Sequence, residues 1–318
     1  MERKKSVFVT TIFLILFALL MMPPVSAGIV DWINQVKAGI TGRATSQTVT
    51  FNLTIANTAP NITYITMNAT VSPTENTNTL IIVNFTAWDP DGISNLDTKG
   101  GKVNFTKTGE ALRQNSSSCL QTATWGTYYA NYTCTMYMWY FDTSGTWNVT
   151  ALVNDSSNGV AQNQTVTFTY NQLSAFVTHP AALTWASLSP GTTNQTSNND
   201  PLVLNNTGNK NITSGNVQIN ATNLKGETDN TKAIWAGNMS VAILTGSSAE
   251  CNENTNQSAA FSPGVFTNAT NGTLMVGNHS VANVGNRNLY LCIRTIGSEL
   301  TSQSYSTTSE GAWTIKIL

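Results

Sequence analysis

The sequence predicts an all-β fold of two tandem β-sandwich domains behind an N-terminal signal peptide and a short leader with helical spacing. Three observations carry that expectation. Apolar residues recur at every second position in short segments from residue 48 to the end of the chain. Clusters of Gly, Asn, Asp, Ser and Pro separate those segments at the spacing of antiparallel sheets. No stretch after residue 40 sustains a 3.6-residue period.

Taken in order, residues 1–27 run basic (Glu2-Arg3-Lys4-Lys5), apolar (Val7 to Met22) and small (Val25-Ser26-Ala27), which predicts a secretory signal cleaved after Ala27. The apolar run falls short of the roughly 20 residues of a comfortable membrane span, so membrane contact is expected only through this signal or the leader, if retained. Within residues 28–47, Ile29, Ile33, Val36 and Ile40 recur at helical spacing beside Trp32, predicting an amphipathic helix over 29–40 and then a linker. Residues 48–170 carry "TVTFNLTI", "LIIVNFTAW", "KVNFT", "YTCTMYMWYF", "TWNVTALV" and "TVTFTY", the expected strands of the first sandwich. In "TWNVTALV", Trp147, Val149, Ala151 and Val153 share one face; Asn148, Thr150, Leu152 and Asn154 share the other. Residues 171–318 alternate again in "PLVLNNTGN", "NVQINATNL", "MSVAIL", "NLYLCIRTIG" and "AWTIKIL", predicting the second sandwich. The boundary is expected between Asn171 and Pro180, because Thr178-His179-Pro180 disfavours a continuing regular strand.

Charged residues make up 10% of the chain and the formal net charge is −1, so there is neither a basic stripe for nucleic acid nor an acidic field that gathers cations. All four cysteines lie beyond the signal, and the two-domain division favours pairing Cys119 with Cys134 and Cys251 with Cys292. Zinc is disfavoured, since the spacings lack CxxC and the two histidines, His179 and His279, lie far apart.

"AWDPDGISNLD", followed by "YFDTSGTWNVTALVNDSSNG" and "QTVTFTY", resembles the late strands of Ig-like and PKD-like modules in archaeal and bacterial surface proteins. The shared pattern is a glycine turn feeding Gly145, Trp147, Val149, Val153 and Asp155. The resemblance implies an Ig-like fold and a cell-surface location, and no chemistry. Tyr132-Thr-Cys134 is similar to the Tyr-x-Cys of immunoglobulin strand F. Cys119, however, lies too close in sequence for an inter-sheet bridge, so a staple across adjacent strands or from a loop to one strand is expected instead.

Nineteen Asn-x-Ser/Thr triplets dominate the remaining signal, at Asn52, Asn61, Asn68, Asn84, Asn104, Asn115, Asn131, Asn148, Asn154, Asn163, Asn194, Asn205, Asn211, Asn220, Asn238, Asn256, Asn268, Asn271 and Asn278. That is about twice the number the composition alone would produce, and each is an N-glycan acceptor in an exported chain. Part of the excess follows from strands written Asn-apolar-Thr, yet Asn is a poor strand residue, which points to selection for the triplet itself. Few lysines follow residue 107, so sheet edges lack their usual charged guard and are expected to be shielded by glycans or paired with neighbouring subunits.

Asp89-Pro90-Asp91-Gly92, with Asp97 and Asp142 in the same domain, is a candidate source of Ca²⁺ ligands beside its plainer reading as a type I turn. Trp125, Tyr128, Tyr129, Tyr132, Tyr137, Trp139 and Tyr140 crowd one region, either as core or as a platform for sugar rings. No catalytic residues are expected: Gly-x-Ser-x-Gly and His-Glu-x-x-His are absent and acidic residues are sparse. The sequence thus points to an extracellular, non-enzymatic, N-glycosylated structural or adhesion protein. Its expected partners are further copies of itself or other surface proteins and glycans. The alternative is a secreted carbohydrate-binding module.

Overall fold

The computed structural model describes residues 48–115, 117, 119–242, 260–269, 272–278 and 281–318. The signal peptide, the leader helix, Cys251, Asn256, Asn271 and His279 lie outside the described residues. The chain divides into two units, Met1–Ile55 and Ala56–Leu318. Everything described between Ala56 and the last residue is β-structure, turns and loops, with a single 3-10 turn at Ala236–Asn238.

Nine strands build the first layered body: β1 (Asn61–Thr66), β2 (Thr70–Val71), β3 (Asn78–Trp88), β4 (Lys102–Thr106), β5 (Arg113–Gln114), β6 (Leu120–Trp125), β7 (Tyr129–Trp139), β8 (Gly145–Asn154) and β9 (Val160–Tyr170). One sheet has the order β1-β3-β7-β6 and the other β2-β9-β8-β4-β5. Pairing is antiparallel throughout except between β2 and β9. The long β3–β7 ladder runs without a bulge from Asn78 opposite Trp139 to Trp88 opposite Tyr129.

Alternation decides what goes inside. Ile81, Val83, Phe85 and Ala87 of β3 and Tyr132, Cys134, Met136 and Met138 of β7 meet Val103, Phe105, Trp147, Val149, Ala151 and Val153 of the other sheet in one core. Trp147 is fully buried, and its indole N–H donates to the Thr143 carbonyl at 3.0 Å, so the ring brings no orphaned donor into the interior. The opposite face of β8 carries Asn148 and Asn154 exposed, as its period requires, although Thr150 is largely covered.

Cys119 and Cys134 are joined by a disulfide with a Cα–Cα distance of 4.3 Å. Cys119 immediately precedes β6, whose partner is β7, so the bond is a staple between neighbouring strands rather than between sheets. Closing a loop of that length stabilises by about 3 kcal/mol on chain-entropy grounds. A second tie secures the short edge strand β5. Arg113 Nε donates to Asp142 Oδ1 at 2.9 Å and its Nη2 reaches the same oxygen, while the Trp139 amide donates to Asp142 Oδ2 at 2.7 Å. Asp142 is fully buried, and the hydrogen bond that Arg113 donates to its carboxylate is the main cause that raises the guanidinium above its ordinary pKa.

Eleven further strands form the second body: β10 (Phe176–His179), β11 (Thr193–Thr196), β12 (Leu202–Asn206), β13 (Val217–Asn220), β14 (Leu224–Gly226), β15 (Ala233–Ile234), β16 (Met239–Ala242), β17 (Phe266–Asn268), β18 (Asn286–Thr295), β19 (Tyr305–Ser306) and β20 (Thr314–Ile317). Their sheets are β10-β12-β18-β11 with β16 also on β18, β17-β13-β20, and β15-β14-β19. Leu204, Val217, Ile219, Met239, Phe261, Leu289 and Leu291 belong to a second core, distinct from the first. Polar contacts join the two bodies: Thr207 Oγ1 donates to Glu75 Oε1 at 2.7 Å, and the Asn209 side chain accepts from the Leu173 amide and donates to the Asn171 carbonyl.

One expected strand is missing. "TVTFNLTI", the predicted start of the first sandwich, forms no strand among the described residues, and the first core begins only at Ile62. Alternation records that a segment suits the margin of an apolar layer; it does not supply the edge to pair with.

Candidate functional site

Four sequon asparagines, Asn84, Asn131, Asn104 and Asn148, lie on strands of the two sheets of the first body. Every sequon asparagine among the described residues is exposed or half-exposed; none is buried. Four of them stand in two matched pairs. Asn84-Phe85-Thr86 on β3 lies antiparallel to Asn131-Tyr132-Thr133 on β7, with Asn84 opposite Thr133 and Thr86 opposite Asn131. Thr133 Oγ1 donates to Asn84 Oδ1 at 2.7 Å, and Thr86 Oγ1 donates to Asn131 Oδ1 at 2.8 Å. Each amide thus turns its oxygen toward the neighbouring strand and its nitrogen, the atom that takes a glycan, to the other side. The second sheet repeats the register: Asn104 of β4 faces Thr150 of β8, and Thr106 faces Asn148.

Sequence reasoning found these four triplets but not their pairing, which needs the strand register. Cross-strand Thr–Asn bonds also give the first pair a sheet-stabilising role independent of sugar, of the order of 0.2–1 kcal/mol per pair. Two other sequons use the nitrogen itself: Asn163 Nδ2 donates to the Ile62 carbonyl at 2.9 Å, and Asn115 Nδ2 to the Ser117 carbonyl.

The predicted calcium ligands Asp89, Asp91 and Asp97 do not converge, and the described residues contain no group of three or more His, Cys, Asp or Glu side chains placed to hold a metal ion. Their oxygens serve the backbone. Asp89 Oδ1 accepts from the Asp91 amide at 2.8 Å, and the Gly92 amide closes the turn on the Asp89 carbonyl at 3.1 Å. Gly92 sits at φ +102°, where a side chain would be strained. Asp97 Oδ1 accepts from the Lys99 amide at 2.9 Å.

Asp91 and the buried Asp155 instead form a clamp around the incoming chain. Asp91 Oδ2 accepts from the Thr58 amide at 2.7 Å, and Asp155 Oδ2 from Asn57 Nδ2 at 2.9 Å, while Asn95 Nδ2 donates to Asn57 Oδ1 at 2.7 Å. Asp155 Oδ1 accepts from the Ser157 and Gly159 amides. Asn57, Asn95 and Asp155 were not legible as one site, because they lie on three separate loops.

Burial pushes the Asp89 carboxyl above the ordinary range, the Asp91 amide pulls it part of the way back, and the charges of Asp91 and Asp155 raise it further. For Asp155 burial also acts upward, but the hydrogen bonds from Asn57, Gly159 and Ser157 outweigh it and hold the carboxyl below the ordinary value of 3.8. A depressed folded-state value means that the clamp's contribution is complete above about pH 4 and is lost as pH falls through the lower folded value. Asp155→Asn presents an amide N–H₂ to N–H donors, so it is expected to lower stability by about 1–3 kcal/mol at pH 7 and much less near pH 2, measured by urea unfolding at both values.

The aromatic group splits. Tyr132 and Tyr140 are in the interior, Tyr129 and Trp139 are half-buried, and Trp125, Tyr128 and Tyr137 are exposed. Trp125 stacks on Tyr129 with centroids 5.6 Å apart at the tip of the β6–β7 hairpin, while Tyr137 sits farther along β7, opposite Leu80 of β3. His179 is exposed at the end of β10. No protein-family model matches the chain, and no curated protein sequence is similar to it.

Proposed function

We propose that this chain is an exported, N-glycosylated, non-enzymatic cell-surface protein of structural or adhesive role, built from two Ig-like sandwich domains in the manner of archaeal-type surface proteins. The observation that supports this most is the placement of the sequons. Both outer faces of the first body carry Asn-x-Thr triplets in matched register, and no described sequon asparagine is buried. With charge at 10%, sugar replaces ionic side chains as the hydrated coat of these faces. Disulfide closure suits an oxidising exterior. Function is then mechanical: rigid layered bodies hold glycans outward and resist opening.

Intact mass of the protein from its native host, before and after deglycosylation, tests this reading. The expected result is a chain beginning after Ala27, carrying several glycans and no free thiol. An unmodified, reduced chain overturns it. Carbohydrate binding remains the second reading, favoured by the exposed Trp125 and Tyr128 at the hairpin tip.

A further inference from the structure

The sheets of the second body leave a gap between them. A cavity of about 570 Å³ opens there, with Leu202, Ile219 and Leu291 of the core in its lining. Phe176 and Val177 of β10 and Ile315 of β20 also line it, together with Leu183, Trp185 and Trp313. Both of these strands are sheet margins among the described residues, where β10 pairs only with β12 and β20 only with β13. An apolar floor between two unpaired edges has the form of a sandwich lacking one strand.

The chain also carries a strand that lacks a sheet. Val49, Phe51, Leu53 and Ile55 alternate in sequence with polar residues along segment 48–55 and are 71%, 90%, 87% and 83% exposed. Paired as a strand, the segment would turn Thr50, Asn52 and Thr54 to the other face, so the Asn52 sequon would meet water when the apolar side is covered. Four large apolar side chains left in solvent at strand spacing are costly unless something covers them.

We propose that segment 48–55 of one copy inserts as a strand into the β10–β20 groove of the next copy, joining subunits head to tail. Its own groove is out of reach. The chain is anchored at Asn57 and Thr58 by Asp155 and Asp91, at one end of the first body, whereas it leaves that body at Tyr170, the other end. The eleven-residue strands β3 and β7 span about 36 Å between those ends, and the nine residues from Thr48 to the anchor extend at most about 32 Å. A head-to-tail contact between two different surfaces of identical subunits propagates as a filament wherever its rotation does not close into a ring or a reciprocal swapped dimer. This deepens the surface-protein reading and rests on it for location only.

The test uses glycosylated protein from the native host and the variant Phe51→Asp/Leu53→Asp, which leaves both cores untouched. Light scattering should show the wild type forming concentration-dependent chains, and the variant remaining monomeric with an unchanged melting temperature. A fluorescent peptide of residues 48–55 should bind the variant, whose groove is vacant, at least tenfold more tightly than the same peptide carrying both aspartates. Val177→Asp, on the exposed margin of β10, should weaken that binding. A wild type that is monomeric at every concentration, chains that persist in the double variant, or equal binding of the two peptides would each overturn the insertion. None of these bears on sugar or secretion, which mass analysis decides separately; conversely, an unmodified chain that still assembles through this segment would remove the surface reading and keep the insertion.

Discussion

Trp147→Ala should lower the unfolding free energy by about 3–5 kcal/mol, the range for truncating a large buried aromatic residue. The indole is the largest fully buried side chain of the first body, lies between the sheets, and satisfies its own N–H on Thr143. Truncation removes its contacts with the opposite sheet and leaves a cavity that the two sheets cannot close without breaking the β4–β8 and β8–β9 ladders. Trp147→Phe keeps most of the volume and should lose markedly less. Urea unfolding followed through the disulfide-intact protein measures both, and a loss under about 1 kcal/mol for the alanine variant would show that the sheets do not pack around this ring.

Asp142→Ala should cost a similar amount by a different route. It strips the buried acceptor from Arg113 and from the Trp139 amide, and breaking a buried, hydrogen-bonded ion pair from one side costs about 3–5 kcal/mol. The reverse truncation, Arg113→Ala, removes the guanidinium that Asp142 accepts from inside the protein, so it should be comparably damaging. Replacing both partners by apolar residues of similar size should recover much of the loss, since the pair's net contribution is far smaller than the penalty of orphaning one member. Thermal unfolding of the two single variants and the double replacement separates these contributions.

Much of the fold was legible because a half-buried strand writes its burial directly into the sequence. The face assigned to Trp147, Val149, Ala151 and Val153 is the buried face, and the short separation of Cys119 from Cys134 already pointed to a local staple. Alternation failed where partner identity mattered. "TVTFNLTI" reads like any other strand, yet no edge among the described residues receives it. The aromatic cluster left core and surface roles open, and the strand period divides them, placing Tyr132 and Tyr137 on opposite sides of one sheet. The Asn57–Asn95–Asp155 clamp was invisible because hydrogen-bond partners on three loops share no spacing rule. The Asn84/Asn131 reciprocity, in turn, required a register that no single strand contains.

The parallel contact of β2 with β9 bears on how the first body responds to being pulled. Thr70 and Val71 lie beside Thr169 and Tyr170, with the Thr169 amide bonded to the Ala69 carbonyl and the Asn171 amide to the Val71 carbonyl, both at 2.8 Å. Tension drawn through Asn57 on one side and Asn171 on the other slides these strands lengthwise past each other, loading their bonds together instead of unzipping them singly. Stretching a tethered molecule should therefore meet a pronounced rupture force before the first body extends.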